Sequence, residues 1–164
     1  MVHTTLSKVI KQMNKVINFY SAQAEYGGFS NFSHHRVKVG NKIYKTSEHY
    51  FQSQKYAGTK HETDVINAKN AGKAAAIGRD RSRPLRRDWE SVKDNVMRTV
   101  ILAKFSQHID LKEMLLGTGN ANLVEHTEKD NYWADGGNGS GKNMLGIILM
   151  EVREKLKNDA ISNV

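Results

Sequence analysis

The stretch RVKVGNKIYKTSEHYFQSQKYA, Arg36 to Ala57, decides the fold class because its character changes midway. Its first half is rich in β-branched and aromatic residues around the Gly40-Asn41 pair, which marks a tight hairpin. Thr46 or Ser47 then supplies an N-cap for a helix running to about Ala57. Working outward, VINFY at 16–20 reads as a strand, and the Ala-rich stretches at 62–70 and 71–77 read as short helices. Asp88 is placed to cap a long helix from Trp89 to about His108. Val92, Val96, Val100 and Ala103 keep to one face of it, with Met97, Ile101 and Phe105 broadening that face. Asp110 and Glu113 form a capping-box-like pair, and Gly117 suits a C′ stop. NLVEHT at 122–127 reads as one more strand, and Leu145, Ile148, Leu149, Val152 and Leu156 recur at helical spacing over about 143–157. The sum is a helix-rich α+β single domain with a small antiparallel sheet over 16–158, not an alternating βαβ chain. A polar N-terminal segment (1–15) precedes it and a short tail (159–164) follows.

A length of 164 residues suits one domain, and about 70% of the surface exposed by an unfolded chain of that size is buried on folding. The absence of cysteine excludes disulfides, thiolate metal sites and a cysteine nucleophile, and fits a reducing cytoplasm. The longest apolar run, Ile147 to Met150, is far short of the roughly 20 residues that span a bilayer. No apolar region follows Lys8, Lys11 and Lys15, so no secretion signal is read and a soluble cytoplasmic chain is expected. The formal charge of +8 predicts attraction to anions. Arg79, Arg81, Arg83, Arg86 and Arg87 fall within nine residues. Guanidiniums so close repel one another unless an anion sits among them, and phosphate matches their fork. The alternative is a generally basic surface.

Glu48, Gln52 and Lys55 lie at i, i+4 and i+7 and share one helical face. That face is either a solvated polar stripe or a site in which the macrodipole holds Glu48 ionised. Such a carboxylate can stabilise a cationic transition state or position a water. Trp89 opens the long helix beside the arginines, with Lys93 one turn on; a helical tryptophan is usually core. Trp133 lies in the polar stretch KDNYWADGGNGSGKN, where an indole suits stacking on a planar ring, worth roughly 1–3 kcal/mol, or covers the edge of the core. Gly136, Gly141 and Lys142 nearly spell a nucleotide-binding P-loop, but Asn143 stands where a Mg²⁺-binding hydroxyl is needed and DNYWAD is no buried strand, so that reading is rejected. What survives is a glycine-rich turn whose N–H groups, with Lys142, could dock an anion. The seven histidines are scattered, without metal-ligand spacing, and no nucleophile elbow exists. No metal and no cofactor is expected.

Seven blocks carry a resemblance: INFYS at 17–21, YGGFSNFS at 26–33, TSEHYFQSQK at 46–55, GRDRSRPLRRDWESVK at 78–93, KFSQH at 104–108, LVEHTEKDNYWADGGNGSGKNMLG at 123–146 and LMEVRE at 149–154. Together they resemble the NADAR/YbiA-like family, its riboflavin-type N-glycosidases in particular, over about residues 17–154. One departure is Ala134, where the family usually has Gly after the YW pair; a methyl there would narrow the pocket or alter the turn. The resemblance implies hydrolysis of the bond joining a ribose anomeric carbon to an exocyclic amine of a heterocycle. In riboflavin-type members this yields ribose 5-phosphate and an aminopyrimidine; other members remove ADP-ribose from guanine in nucleic acid.

The family's functional positions carry over to Glu48, Trp89, Asp130 and Trp133. Cleavage of the C–N bond develops positive charge on the sugar and needs a proton for the departing nitrogen. Glu48 is therefore assigned to the anomeric carbon and Asp130 to water or the ribose hydroxyls, with Trp89 and Trp133 holding the base. Gln52, Lys55, Lys93, Asp135 and Asn143 complete the expected substrate site, while the arginines, Arg79 and Arg81 among them, take the phosphate with Lys142. An imine on Lys55 or Lys93 is an alternative route. The expected partner is a small phosphorylated N-riboside, or else ADP-ribosylated nucleic acid, with no membrane and no obligate protein partner. A non-catalytic nucleotide-binding module is the alternative of another class; it would use the same tryptophans and arginines without needing the carboxylates.

Overall fold

The computed structural model describes residues 15–163; the polar N-terminal segment, but for Lys15, and Val164 lie outside them. The order of elements is β1 (Val16–Phe19), β2 (Val37–Val39), β3 (Lys42–Tyr44), α1 (Ser47–Gln54), α2 (Lys60–Ile66), α3 (Ala71–Arg79), α4 (Trp89–Gln107), α5 (Ile109–Gly117), β4 (Asn122–Glu125) and α6 (Met144–Ser162). The class is α+β and helix-rich, as the sequence suggests. Its strands, however, form two separate pairs. β2 and β3 make the antiparallel hairpin, Val37 opposite Tyr44, around Gly40 at φ 59°. β1 and β4 pair in parallel, Ile17 opposite Leu123. Period-two patterning marks a strand but not its partner, and a parallel partner requires a long crossover. Here α1 to α5 provide it.

α6 packs against both α4 and β4. Met97, Val100, Ile101 and Phe105 of α4 meet Leu145, Ile148, Leu149, Val152 and Leu156 of α6 in the main core. Val92, Val96 and Ala103 are only partly buried, so the core face of α4 is rotated from the expected one. The rotation brings Lys104 wholly inside, where its ammonium donates to the Ser30 carbonyl at 2.9 Å and Ser33 Oγ at 2.7 Å. Tyr56, Val65, Ala68 and Ala74 form a smaller core among α1, α2 and α3. His49 ties these helices together: Thr46 Oγ lies 2.8 Å from its Nδ1, and its Nε2 donates to the Ala68 carbonyl at 3.1 Å.

Several element ends differ from the sequence reading. Thr46 caps α1 by accepting the His49 N–H, but the helix stops at Gln54. The Asp88 carboxylate makes no cap and instead takes Arg86 Nε at 2.6 Å, because a neighbouring guanidinium outcompetes a backbone N–H. α5 starts at Ile109, which puts Asp110 inside the first turn and prevents a capping box. Gly119, at φ 60°, makes the left-handed turn expected of Gly117. α6 continues to Ser162, into the stretch set aside as tail. Among the described residues, no helix is long and apolar enough to cross a membrane.

Candidate active site

A cavity of about 730 Å³ opens between α1, α3, the 20–34 loop and the end of β4 with the turn that follows it. The N-terminus of α1 is fixed to its wall: the Glu48 N–H donates to the Asn31 carbonyl at 3.1 Å, and Ser47 Oγ to Asn31 Oδ1 at 2.9 Å. Glu48 is thereby held with 7% of its surface exposed. Gln52, one turn on, donates to its carboxylate at 2.7 Å. Burial pushes the Glu48 pKa up, reinforced by Asp130 and opposed by Gln52, Lys55 and Arg79. The helix dipole opposes that rise but is equivalent to only about half an elementary charge, whereas desolvation acts on the full charge of the carboxylate.

Lys55 also lines the cavity, its Nζ donating to the Gly78 carbonyl at 3.1 Å. Burial and the Arg81 charge bring its pKa down to about 8. Asp130 enters the same cavity from the turn after β4. Its Oδ1 accepts the N–H groups of Tyr132 and Trp133, both at 2.8 Å, a hydrogen-bonded turn that places Trp133 in the wall. Trp133 meets Phe51 edge to face at 5.1 Å, so it covers the core and faces the cavity at once. Glu48, Gln52, Lys55, Arg79, Asp130 and Trp133 are thus brought together.

The other expected site residues are placed elsewhere. Trp89 is 6% exposed, packs against Phe51 at 5.2 Å and has Lys55 Nζ 5.7 Å from its ring, but does not itself line the cavity. Lys93 pairs with Glu90 at 2.5 Å and lies 4.0 Å from the Tyr132 ring; exposed Lys142 lies 5.1 Å from that ring, and neither lysine lines the cavity. Asp135 is buried and accepts the Gly137 and Thr127 N–H groups, with His126 Nδ1 at 2.7 Å, so it holds the turn. Asn143, at φ 52°, accepts the Glu125 N–H at 3.0 Å and donates to the Leu123 carbonyl at 2.9 Å, fastening β4.

Within the arginine run, Arg83 pairs with Asp64 at 2.7 Å and Asp80 at 3.2 Å, and Arg86 with Asp88. Local carboxylates therefore relieve part of the repulsion within the run without a bound anion. Arg81 turns to the Gly78 and Arg79 carbonyls, leaving Arg79 as the cluster's contribution to the cavity. The glycine-rich turn is no anion cradle either: the N–H groups of Gly136, Gly141 and Lys142 donate to the carbonyls of Asp130, Asp135 and Asn131. Ala134 is fully buried and outside the cavity lining, so its methyl does not narrow the pocket.

Sequence reasoning missed Glu125, Tyr20 and Phe32, all of which line the cavity. Glu125 had a signal: it shares parity with buried Leu123 and so falls on the inner face of its strand. Burial, with Asp130, Glu48 and Asp135 nearby, pushes its pKa up to about 8. Tyr20 and Phe32 are 44% and 43% exposed at the mouth. Among the described residues, no group of three or more His, Asp or Glu side chains is arranged to hold a metal ion.

Three carboxyl groups, an aromatic wall and a cationic edge thus meet in one cavity of an α+β frame. The NADAR domain family matches residues 18–157, and the chain belongs to that family. It is 54% identical over 141 residues to N-glycosidase YbiA of Escherichia coli, covering 86% of this chain and 88% of that one. The NMR structure of E. coli YbiA superposes with a TM-score of 0.84 at 51% identity, covering 90% of this chain and 88% of that one. An N-glycosidase of Nostoc punctiforme is 44% identical, over 87% of this chain and 93% of its own. A riboflavin biosynthesis protein of Vibrio vulnificus is 38% identical, over 93% of this chain but 41% of its own.

Proposed function

We propose that the chain hydrolyses the C–N bond between ribose 5-phosphate and the aminopyrimidine of early riboflavin biosynthesis intermediates, releasing ribose 5-phosphate and an aminopyrimidine. At the coarser level it is an enzyme, a hydrolase of N-glycosyl compounds, like its N-glycosidase relatives. The carrying observation is that Glu48 and Asp130, distant in sequence, line one cavity with Trp133. As the bond breaks, positive charge spreads over C1′ and the ring oxygen, and a carboxylate fixed beside them lowers the barrier. Glu48 takes that place, steadied by Gln52. Asp130 uses one oxygen for its turn and has the other for water or a ribose hydroxyl. Phe51 and Trp133 face the heterocycle, and Arg79 the phosphate. The small phosphorylated substrate and a cytoplasmic setting follow from the same reading.

The test is mass spectrometry after mixing the protein, with EDTA present, with a phosphoribosylaminopyrimidine. Ribose 5-phosphate should appear under chelation, and E48Q should lose at least about 100-fold in rate while still binding substrate. Full activity in E48Q would falsify the assignment of that residue. A second reading, removal of ADP-ribose from guanine in nucleic acid, is favoured by the +8 charge; only that activity should fall steeply with salt. The imine route is open to Lys55, which faces the cavity with its pKa near 8, and not to Lys93. Borohydride quenching should attach ribose phosphate to Lys55 if it operates; turnover with no adduct means direct attack by water.

A further inference from the structure

We infer that Glu125 is a further catalytic residue of this site, the acid that delivers a proton to the departing nitrogen. The inference rests on the N-riboside reading and adds a separate role to it. Glu125 is the last residue of β4, lining the cavity shared by Glu48 and Asp130. Its backbone is held on both sides: Asn143 Oδ1 accepts its N–H at 3.0 Å, and its carbonyl accepts the Asp135 N–H at 2.9 Å. Asp135 and Asn143 thus work on this residue from the loop, whatever substrate is bound. Such fixing of backbone is what a proton donor needs, since transfer requires placement within hydrogen-bond reach of the leaving atom.

The three cavity carboxyls differ in their partners. Glu48 receives Gln52, and Asp130 receives two backbone N–H groups. The Glu125 carboxyl has no hydrogen bond or ion pair among the described residues. Glu125 is half-buried in the cavity wall, where its partly apolar surroundings and the neighbouring carboxylates favour the neutral acid. The charges bearing on it are Asp130 and Asp135 from the turn and Glu48 from α1, all of which disfavour a further anion. Lys55 and Arg79 enter the cavity from α1 and α3, and His34 and Lys129 from its rim. Lys55 is engaged with the Gly78 carbonyl. Glu125 therefore holds its proton to about pH 8, in the range where an acid both keeps and gives a proton at neutral pH.

The step balances without any co-reactant. The C1′–N bond breaks with its electron pair going to nitrogen, which takes the Glu125 proton and leaves as the neutral amine. Water adds its oxygen to C1′ and gives up a proton to the Glu48–Asp130 pair. That proton is exchanged back to Glu125 through solvent before the next turnover.

The test compares wild type with E125Q on two probes, a phosphoribosylaminopyrimidine and 4-nitrophenyl riboside 5-phosphate, whose phenolate departs without protonation. E125Q should lose about 10²–10⁴-fold in kcat on the amine substrate, and the alkaline limb of its kcat–pH profile near pH 8 should vanish. On the nitrophenyl probe it should stay within about threefold of wild type, because only transition-state protonation was removed. Equal losses on both probes, or an alkaline limb unchanged in E125Q, would show that the residue merely holds the cavity and would overturn the inference. Failure of the underlying reading looks different: wild type itself would then release no ribose 5-phosphate from the amine.

Discussion

Gly78 governs Glu48 from outside the reaction. The Gln52 side chain that donates to Glu48 passes through the space a Cβ on Gly78 would fill, and its Oε1 is left buried without a partner. G78A adds a favourable helix former, worth up to about 1 kcal/mol, and pushes Gln52 away from the carboxylate. The variant should melt within a few degrees of wild type yet lose at least about tenfold in kcat, since one oriented hydrogen bond to a charged group contributes roughly 1.5–3 kcal/mol. Unchanged kcat would mean that Gln52 does not position Glu48. The same scale shows what the sequence could say of the site. Glu48, Gln52 and Lys55 were legible because one helical period carries all three to one face. Trp89 and Lys93 lie outside the cavity lining, and the sequence alone does not say which side of α4 faces the cavity. Asp135 and Asn143 also lie outside the cavity lining, since a polar residue in a glycine-rich loop can serve its own turn as readily as a ligand, and only the hydrogen-bond partners distinguish the two.

Among the elements, the close approach of α6 to β4 constrains the site. A Cβ on Gly146 would run into the Leu123 carbonyl and the Asn143 side chain, and a strand carbonyl cannot move aside cheaply. G146A should cost about 1–3 kcal/mol in urea unfolding and also reduce activity, because Asn143 releases the Glu125 N–H. Stability equal to wild type would show that helix and strand can separate without penalty. At the start of α4 the expectation is the reverse. Asp88 pairs in the open with Arg86 instead of capping, so D88A should cost under about 1 kcal/mol, less than the loss of a working N-cap such as Thr46, typically about 1 and up to 2 kcal/mol. The hairpin and the long helices were legible because local periodicity and turn residues specify them. The parallel pairing of β1 with β4 and the burial of Lys104 were not, since both are settled by packing between segments far apart in sequence.

At the scale of the whole molecule, buried ionisable groups link folding to pH with opposite signs. Glu125, with its pKa up at about 8, keeps in the folded state a proton that the unfolded chain has released above its usual 4.5. Its contribution is therefore complete below pH 4.5 and lost as pH rises to 8, and Glu48 acts in the same direction. Lys104, brought down to about 7 by burial, and Lys55, at about 8, do the opposite. The unfolded chain holds those protons up to about 10.5, so stability is depressed at and below neutrality and regained above it. His35 and His49, both lowered by burial, oppose the two glutamates below pH 6.5, and buried Tyr44, Tyr50 and Tyr56, all raised, oppose the lysines above pH 10. Comparing variants with wild type isolates each contribution. E125Q should gain stability relative to wild type as pH goes from 5 to 8, and K104M should lose it relative to wild type from 7 to 10, each by at most about 1.4 kcal/mol per pH unit. Urea denaturation at unit pH steps measures both. If the differences between variant and wild type stay flat with pH, the charges of these two residues do not govern the protein's stability, and the burial that gives Glu125 its proton at neutral pH is not felt by the folded chain.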